Sequence, residues 1–152
     1  MEYRLKDIRE SLDLTQNDVA KNLDITRANY SMWEIEKLNI PLLKYNNFCN
    51  RYGYSMDYVA NLTNNSDIKH ITFKRIDEQK LSERLSIMEN MLNLSASAIA
   101  NMLGIGESTY YDYKNPKHPS TIQTLYLKHL AKETGFSMDW IVGRSDEMYT
   151  KN

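Results

Sequence analysis

Several things are scarce in this chain of 152 residues. A single cysteine, Cys49, excludes a disulfide framework and any cysteine-based zinc site. Neither sign of charge is in excess: Lys plus Arg is 19 and Asp plus Glu is 20, a net charge of −1. That rules out a uniformly basic nucleic-acid coat, but not a local basic face built from a few placed residues. No apolar run approaches the roughly 18 residues of a membrane span. The first ten residues carry Glu2, Arg4, Lys6, Asp7, Arg9 and Glu10, unlike a secretory leader. A soluble cytoplasmic protein without membrane association is the expectation. Glycine-rich phosphate loops are missing, and Gly104-Ile-Gly106 has no strand before it. His70, His118 and His129 show no metal-ligand spacing to one another or to Cys49, which reads as a small core residue. Neither metal nor cofactor is expected, and no catalytic constellation is found. Asn61-Leu-Thr63 and Asn93-Leu-Ser95 fit a glycosylation pattern that means nothing without secretion. What remains is globular composition, 41% apolar and 26% charged, enough for one ordinary domain or two small ones.

The chain repeats itself. LDLTQNDVAKNLDITRANYSMWE from Leu12 to Glu34 aligns with LNLSASAIANMLGIGESTYYDYK from Leu92 to Lys114 at an offset of 80, Leu14 falling on Leu94. Arg4-Leu5 falls on Arg84-Leu85 at the same offset. Gly53-Tyr-Ser-Met-Asp57 matches Gly135-Phe-Ser-Met-Asp139 at an offset of 82. Each copy reads as about five short helices, giving an all-α fold of two tandem domains. In the first, Leu5, Ile8 and Leu12 mark one face of an opening helix. Thr15 caps a second helix and Thr26 a third. Pro41 begins a fourth that Gly53 follows, and Ser55 caps a fifth through about Leu62. In the second copy Asp77, Ser95, Gly106, Ser120 and Ser137 mark the corresponding starts, with Gly135 and Gly143 as stops. The boundaries are then 1–63 for the first domain, 64–76 for a linker, 77–146 for the second domain and 147–152 for a tail. The linker segment Ile68–Ile76 is read as a plain linker in preference to an extended or pairing strand.

Thr15 to Glu34 is the informative stretch. Two helices meet at Leu23-Asp24-Ile25-Thr26, the spacing of a helix-turn-helix. Tyr30 and Trp33 point inward on the second of them, while Arg27, Ala28, Ser31 and Met32 point outward. A helix of this diameter fits the major groove of B-DNA. Arg27, in its first turn, can grip guanine O6 and N7 together, worth roughly 1–3 kcal/mol of discrimination, and Ala28 and Met32 can touch a thymine methyl.

On these residues, with Lys37, Pro41 and SMDYVANL downstream, the chain resembles the Cro-and-cI-type helix-turn-helix family, often called XRE. The resemblance covers Met1 to about Leu62 well and Leu81 to about Gly143 more weakly. It implies a five-helix DNA-binding domain in each copy, lambda-repressor-like in fold. It implies base contact from Gln16, Thr26, Arg27, Ala28 and Met32, with Gln16 on a phosphate or a base near the site edge. Phosphate contact is expected from Asn17, Asn29, Ser31, Lys37 and Lys44. Where the family usually has glycine, this chain has Asp24 in the tight turn and Glu36 after the third helix. The latter adds an anion close to phosphates. The family also pairs an arginine late in the first helix with a glutamate late in the third. Arg9 and Glu34 stand there, and 80 positions on stand Glu89 and Lys114 with both charges inverted. Loss of one partner of a partly buried pair is punished far more than exchange of both.

The second copy has a poor groove face: Glu107, Ser108, Tyr111 and Asp112. Ser108, Tyr111, Lys117 and His118 are what it could offer DNA. Three arrangements stay open. The chain is a covalent pseudo-dimer taking two half-sites; or the first copy reads DNA while the second forms a homodimer or binds another protein; or the fold serves protein contact alone, as in an anti-repressor. The expected function is a sequence-specific transcriptional regulator, a repressor by operator occupancy, with double-stranded DNA as partner and no enzyme activity.

Overall fold

The computed structural model describes residues 2–66, 74–115, 117 and 121–151. It divides into two compact units, Met1–Phe73 with Lys151–Asn152, and Lys74–Thr150. Every named element among the described residues is a helix, with no strand beyond one isolated bridge between Phe136 and Tyr149.

The first unit contains α1 (Leu5–Ser11), α2 (Gln16–Asn22), α3 (Arg27–Glu34), α4 (Leu42–Tyr52) and α5 (Met56–Val59). Side-chain oxygens set the starts. Thr15 accepts from the Asp18 N–H while Asp18 reciprocates on the Thr15 N–H, a capping box. Thr26 accepts from Asn29 N and Ser55 from Tyr58 N. Pro41 precedes α4, which needs no side-chain cap. Left-handed residues make the stops: Asp13 at φ 55°, Asp24 at φ 54°, Glu36 at φ 56°, Gly53 at φ 77° and Asn61 at φ 60°. Asn61 closes the last helix three residues short of the Leu62 end expected from the pattern, at Val59. The core is filled by Leu5, Val19, Ala20, Leu23, Tyr30, Tyr45, Phe48 and Met56, with Cys49 fully buried among them. Leu12, expected on the inner face of α1, is instead 43% exposed, because the helix has ended and the chain is already turning.

The second unit contains α6 (Glu78–Leu92), α7 (Ala96–Leu103), α8 (Glu107–Tyr113), α9 (Thr124–Thr134) and α10 (Met138–Ile141). Asp77, Ser95 and Ser137 cap α6, α7 and α10 by accepting the N3 amide, and Gly106 stands as the uncapped N-cap of α8. The start expected at Ser120 lies outside the described residues, and α9 begins at Thr124 behind Gln123. Left-handed residues fall at Asn93 (φ 53°), Gly104 (φ 69°), Gly135 (φ 79°) and Gly143 (φ 83°). These are the positions of Asp13, Asp24, Gly53 and Asn61 displaced by the repeat offsets. Residues 147–150 are not a free tail. Ser137 N donates to Met148 O at 2.9 Å and Thr150 N to Gly135 O at 3.1 Å, so this segment lies antiparallel to the α9–α10 corner. The expected linker is outside the described residues from 67 to 73, and 74–76 is non-helical.

One arginine in each unit closes the loop after its last helix. Arg4 lies 4.2 Å over the Tyr58 ring and donates to Tyr58 O at 3.3 Å, Thr63 O at 2.7 Å and Asn64 Oδ1 at 2.7 Å. Arg84 lies 4.9 Å over the Trp140 ring and donates to Trp140 O, to Ser145 O at 2.9 Å and to Asp146 Oδ1 at 3.3 Å.

Candidate nucleic-acid interface

The α2–α3 corner is assembled by the turn. Asp24 takes the left-handed backbone, which aspartate tolerates better than most residues. Ile25 N then returns to Ala20 O at 3.0 Å, and Thr26 opens α3. Ala20 is buried, and its small side chain lets the two helices close on each other. Tyr30 and Trp33 anchor α3 inward, at 0% and 4% exposure, with their rings edge to face. The opposite face is open. Arg27, Ala28 and Asn29 are exposed, Met32 is 40% exposed and Ser31 is intermediate. Among the described residues no carboxylate pairs with Arg27, so its guanidinium is available. Thr26 spends one oxygen lone pair on its cap, and its exposed hydroxyl keeps a donor. Asn17 at the start of α2 and Lys37 after α3 are exposed on the same unit.

Two side chains expected at DNA also bond within the unit. Lys44 does not stand free: its ammonium donates to Leu23 O at 2.9 Å, on the last turn of α2, where carbonyls are unpaired. One of its three N–H groups is spent on a helix end. Gln16 is half-buried, and its Nε2 donates to Glu34 Oε2 at 2.9 Å. Glu36 is likewise engaged: its carboxylate accepts the Tyr3 N–H at 3.0 Å, which ties the segment before α1 to the loop after α3.

Behind α3, Arg9 Nε meets Glu34 Oε1 at 2.6 Å, with a second contact from its terminal nitrogen to Oε2 at 3.3 Å. The Glu34 side chain is 3% exposed and that of Arg9 12%. Burial pushes the Glu34 carboxyl up, but its partners, hydrogen-bonded Arg9 and Gln16 first among them, more than offset this and hold it below the usual carboxylate range. The Tyr30 phenol is pushed well above its ordinary value by burial and by the neighbouring Glu34 charge.

The second unit has the same corner with different dress. Gly104 is left-handed, Ile105 N bonds Ala100 O at 3.0 Å, and Tyr110 and Tyr113 are buried beneath α8. Lys114 Nζ meets Glu89 Oε2 at 2.6 Å, and Tyr110 Oη donates to the same oxygen at 3.1 Å. Its outward face shows Glu107, Ser108, Asp112 and Tyr111, the last 54% exposed. Lys117 is exposed, while His118 lies outside the described residues. The bonds of Gln16 and Lys44 escaped sequence reasoning because each joins residues 18 or more positions apart with no periodic signature. The arginine clamps had a signal, the recurrence of Arg4 at Arg84.

Comparison with known proteins places a helix-turn-helix family model over residues 5–59, α1 through α5. An uncharacterised HTH-type transcriptional regulator of Bacillus subtilis (strain 168), YobD, is 32% identical over 66 residues, which cover 43% of this chain and 59% of that protein. No solved structure matches. Residues 5–59 are thus similar to a helix-turn-helix domain, every element among the described residues is a helix, and no helix among the described residues is long and apolar enough to cross a membrane.

Proposed function

We propose that this protein is a sequence-specific DNA-binding regulator that represses transcription by occupying an operator. The observation that carries the reading is the open face of α3. A capped helix start with an unpaired Arg27 leads a surface of Ala28 and Met32, on a helix fixed from behind by buried Tyr30, Trp33 and Glu34. In this reading Arg27 takes guanine O6 and N7, and Ala28 and Met32 meet thymine methyls. Lys37, Asn17, Asn29 and Ser31 hold the phosphates on either side and set the register. Occupancy excludes polymerase from an overlapping promoter without any chemistry by the protein.

The second unit is, in this proposal, a divergent copy of the same fold. Its left-handed residues, its arginine clamp and its inverted Glu89–Lys114 pair all support this. Its α8 carries Glu107 in the place of Arg27 and Ala96 in that of Gln16, which removes the two side chains best suited to DNA. We therefore assign it to contact with a second copy of the chain or another protein, where an exposed aromatic such as Tyr111 is at home. A domain of about 60 residues makes few phosphate contacts alone, so doubling between chains strengthens binding.

Selection from random duplexes, run with a mass measurement in solution, tests the reading. The expected product is one short enriched sequence read by α3, bound by two chains. Arg27→Ala should relax the preference at one base pair. If no sequence is enriched, or if Arg27→Ala leaves specific and non-specific binding alike, the proposal fails.

A further inference from the structure

The carboxylate of Glu34 is sealed from solvent at the end of α3, yet it reaches Gln16 at the opening of α2. An ionised carboxylate only accepts, so chemistry decides the orientation of the glutamine amide: nitrogen toward Glu34. With one N–H spent there, Gln16 keeps its other N–H and its carbonyl oxygen for a ligand. We infer that Glu34 is a positioning residue for DNA recognition, holding the Gln16 amide in the attitude in which it meets the edge of the bound duplex. The inference rests on the DNA-binding reading above and deepens it.

Two features separate this link from ordinary scaffolding. First, the fold does not require it. The second unit closes its own buried pair, Lys114 on Glu89 at 2.6 Å, with Ala96 where Gln16 would stand. Second, Arg9 already supplies Glu34 with two hydrogen bonds and a countercharge, so the buried carboxylate is partnered without the glutamine. What the link does add is a fixed rotamer for a long polar side chain. Such a side chain otherwise loses its freedom on binding, and preorganisation removes that loss. The Arg9 countercharge also keeps the anion behind Gln16 from repelling phosphate.

A double-mutant cycle on the full chain, measured as affinity for the selected duplex, tests this. Gln16→Ala should weaken binding about tenfold. Glu34→Gln should weaken it about three- to tenfold in the wild-type background but less than about twofold when Gln16 is already alanine. Equal losses in both backgrounds overturn the inference, since a purely structural glutamate acts independently of Gln16. Thermal melting shows whether each variant is folded at the assay temperature. If Glu34→Gln is not, hydrogen exchange of the Gln16 side-chain amide in the free wild-type chain decides. One protected Nε2 proton is expected, and two protons exchanging as freely as in an unstructured glutamine overturn the inference. A wild-type chain that binds no duplex sinks the DNA-binding reading itself, an outcome distinct from either.

Discussion

Lys114 and Glu89 meet at 2.6 Å with the cation directly after the third helix of their unit and the anion on the first, the reverse of Arg9 and Glu34 in charge. In each unit a buried tyrosine stands at the same place beside the pair: Tyr110 Oη donates to Glu89 at 3.1 Å, whereas Tyr30 Oη donates to Leu5 O at 3.4 Å with the Glu34 charge beside it. The site therefore accepts either polarity. Glu34→Lys alone should destabilise the first unit by about 3 kcal/mol, because it leaves Arg9 facing a like charge in a poorly solvated site. Adding Arg9→Glu should restore at least half of the loss. Denaturant unfolding of the two variants checks this, and no recovery in the double variant would show that the polarity of the pair is fixed by its surroundings.

The acid side of the stability profile follows from the same carboxylate. Glu34 is held below its ordinary range in the folded chain, so the folded state binds its proton less readily than the unfolded state. The stabilisation is present above the ordinary range, from about pH 5 upward, and is lost as pH falls through the depressed value. The wild-type melting temperature should drop on acidification from pH 6 toward about pH 3. Glu34→Gln should start lower and fall less, the two curves converging in acid. Parallel curves would assign the acid lability to other carboxylates.

How much of this was legible in the sequence depends on the range of the interaction. Caps and stops are local chemistry, and Thr15, Thr26, Ser55, Asp77, Ser95 and Ser137 stand where side-chain oxygens were expected to open helices. Burial of Tyr30, Trp33, Tyr110 and Tyr113 followed from helical spacing. Leu12 did not, because a hydrophobic residue at the right spacing lies beyond the point where the helix unwinds. The outward residues of α3 follow from that same spacing. Lys44 could not be placed that way: nothing near it in sequence announces that the carbonyl of Leu23 lies within its reach. Nor does composition reveal that residues 147–150 fold back on Gly135 and Ser137.

The arginine clamps carry a prediction of their own. Arg4 combines two backbone carbonyls, a side-chain amide and a ring face, a set that only a planar fork satisfies together. Arg4→Ala should cost about 2–3 kcal/mol, and Arg4→Lys should recover less than half, since an ammonium keeps the charge but not the geometry. Arg84→Ala should behave alike in the second unit. A lysine that restores full stability would reduce the clamp to simple charge attraction.

The two left-handed glycines Gly104 and Gly143 separate backbone strain from crowding. A Cβ on Gly104 would meet nothing within 4 Å, so Gly104→Ala adds only the cost of a left-handed alanine, about 1 kcal/mol. A Cβ on Gly143 would lie 2.8 Å from Asp77 Cβ and 3.1 Å from Lys80 Cβ, at the capped start of α6, where Asp77 N also bonds Val142 O at 2.8 Å. Neither neighbour is a loose side-chain end, so α6 itself must shift. Gly143→Ala should cost about 2 kcal/mol more than Gly104→Ala, read as a difference in unfolding free energy. Asp24 supplies the control in the opposite direction. It holds φ 54° without being glycine, and Asp24→Gly should be neutral or stabilising by up to about 1 kcal/mol. If Gly143→Ala proved as mild as Gly104→Ala, the start of α6 would have to yield to α10, and the close approach would not be what holds those two helices in place.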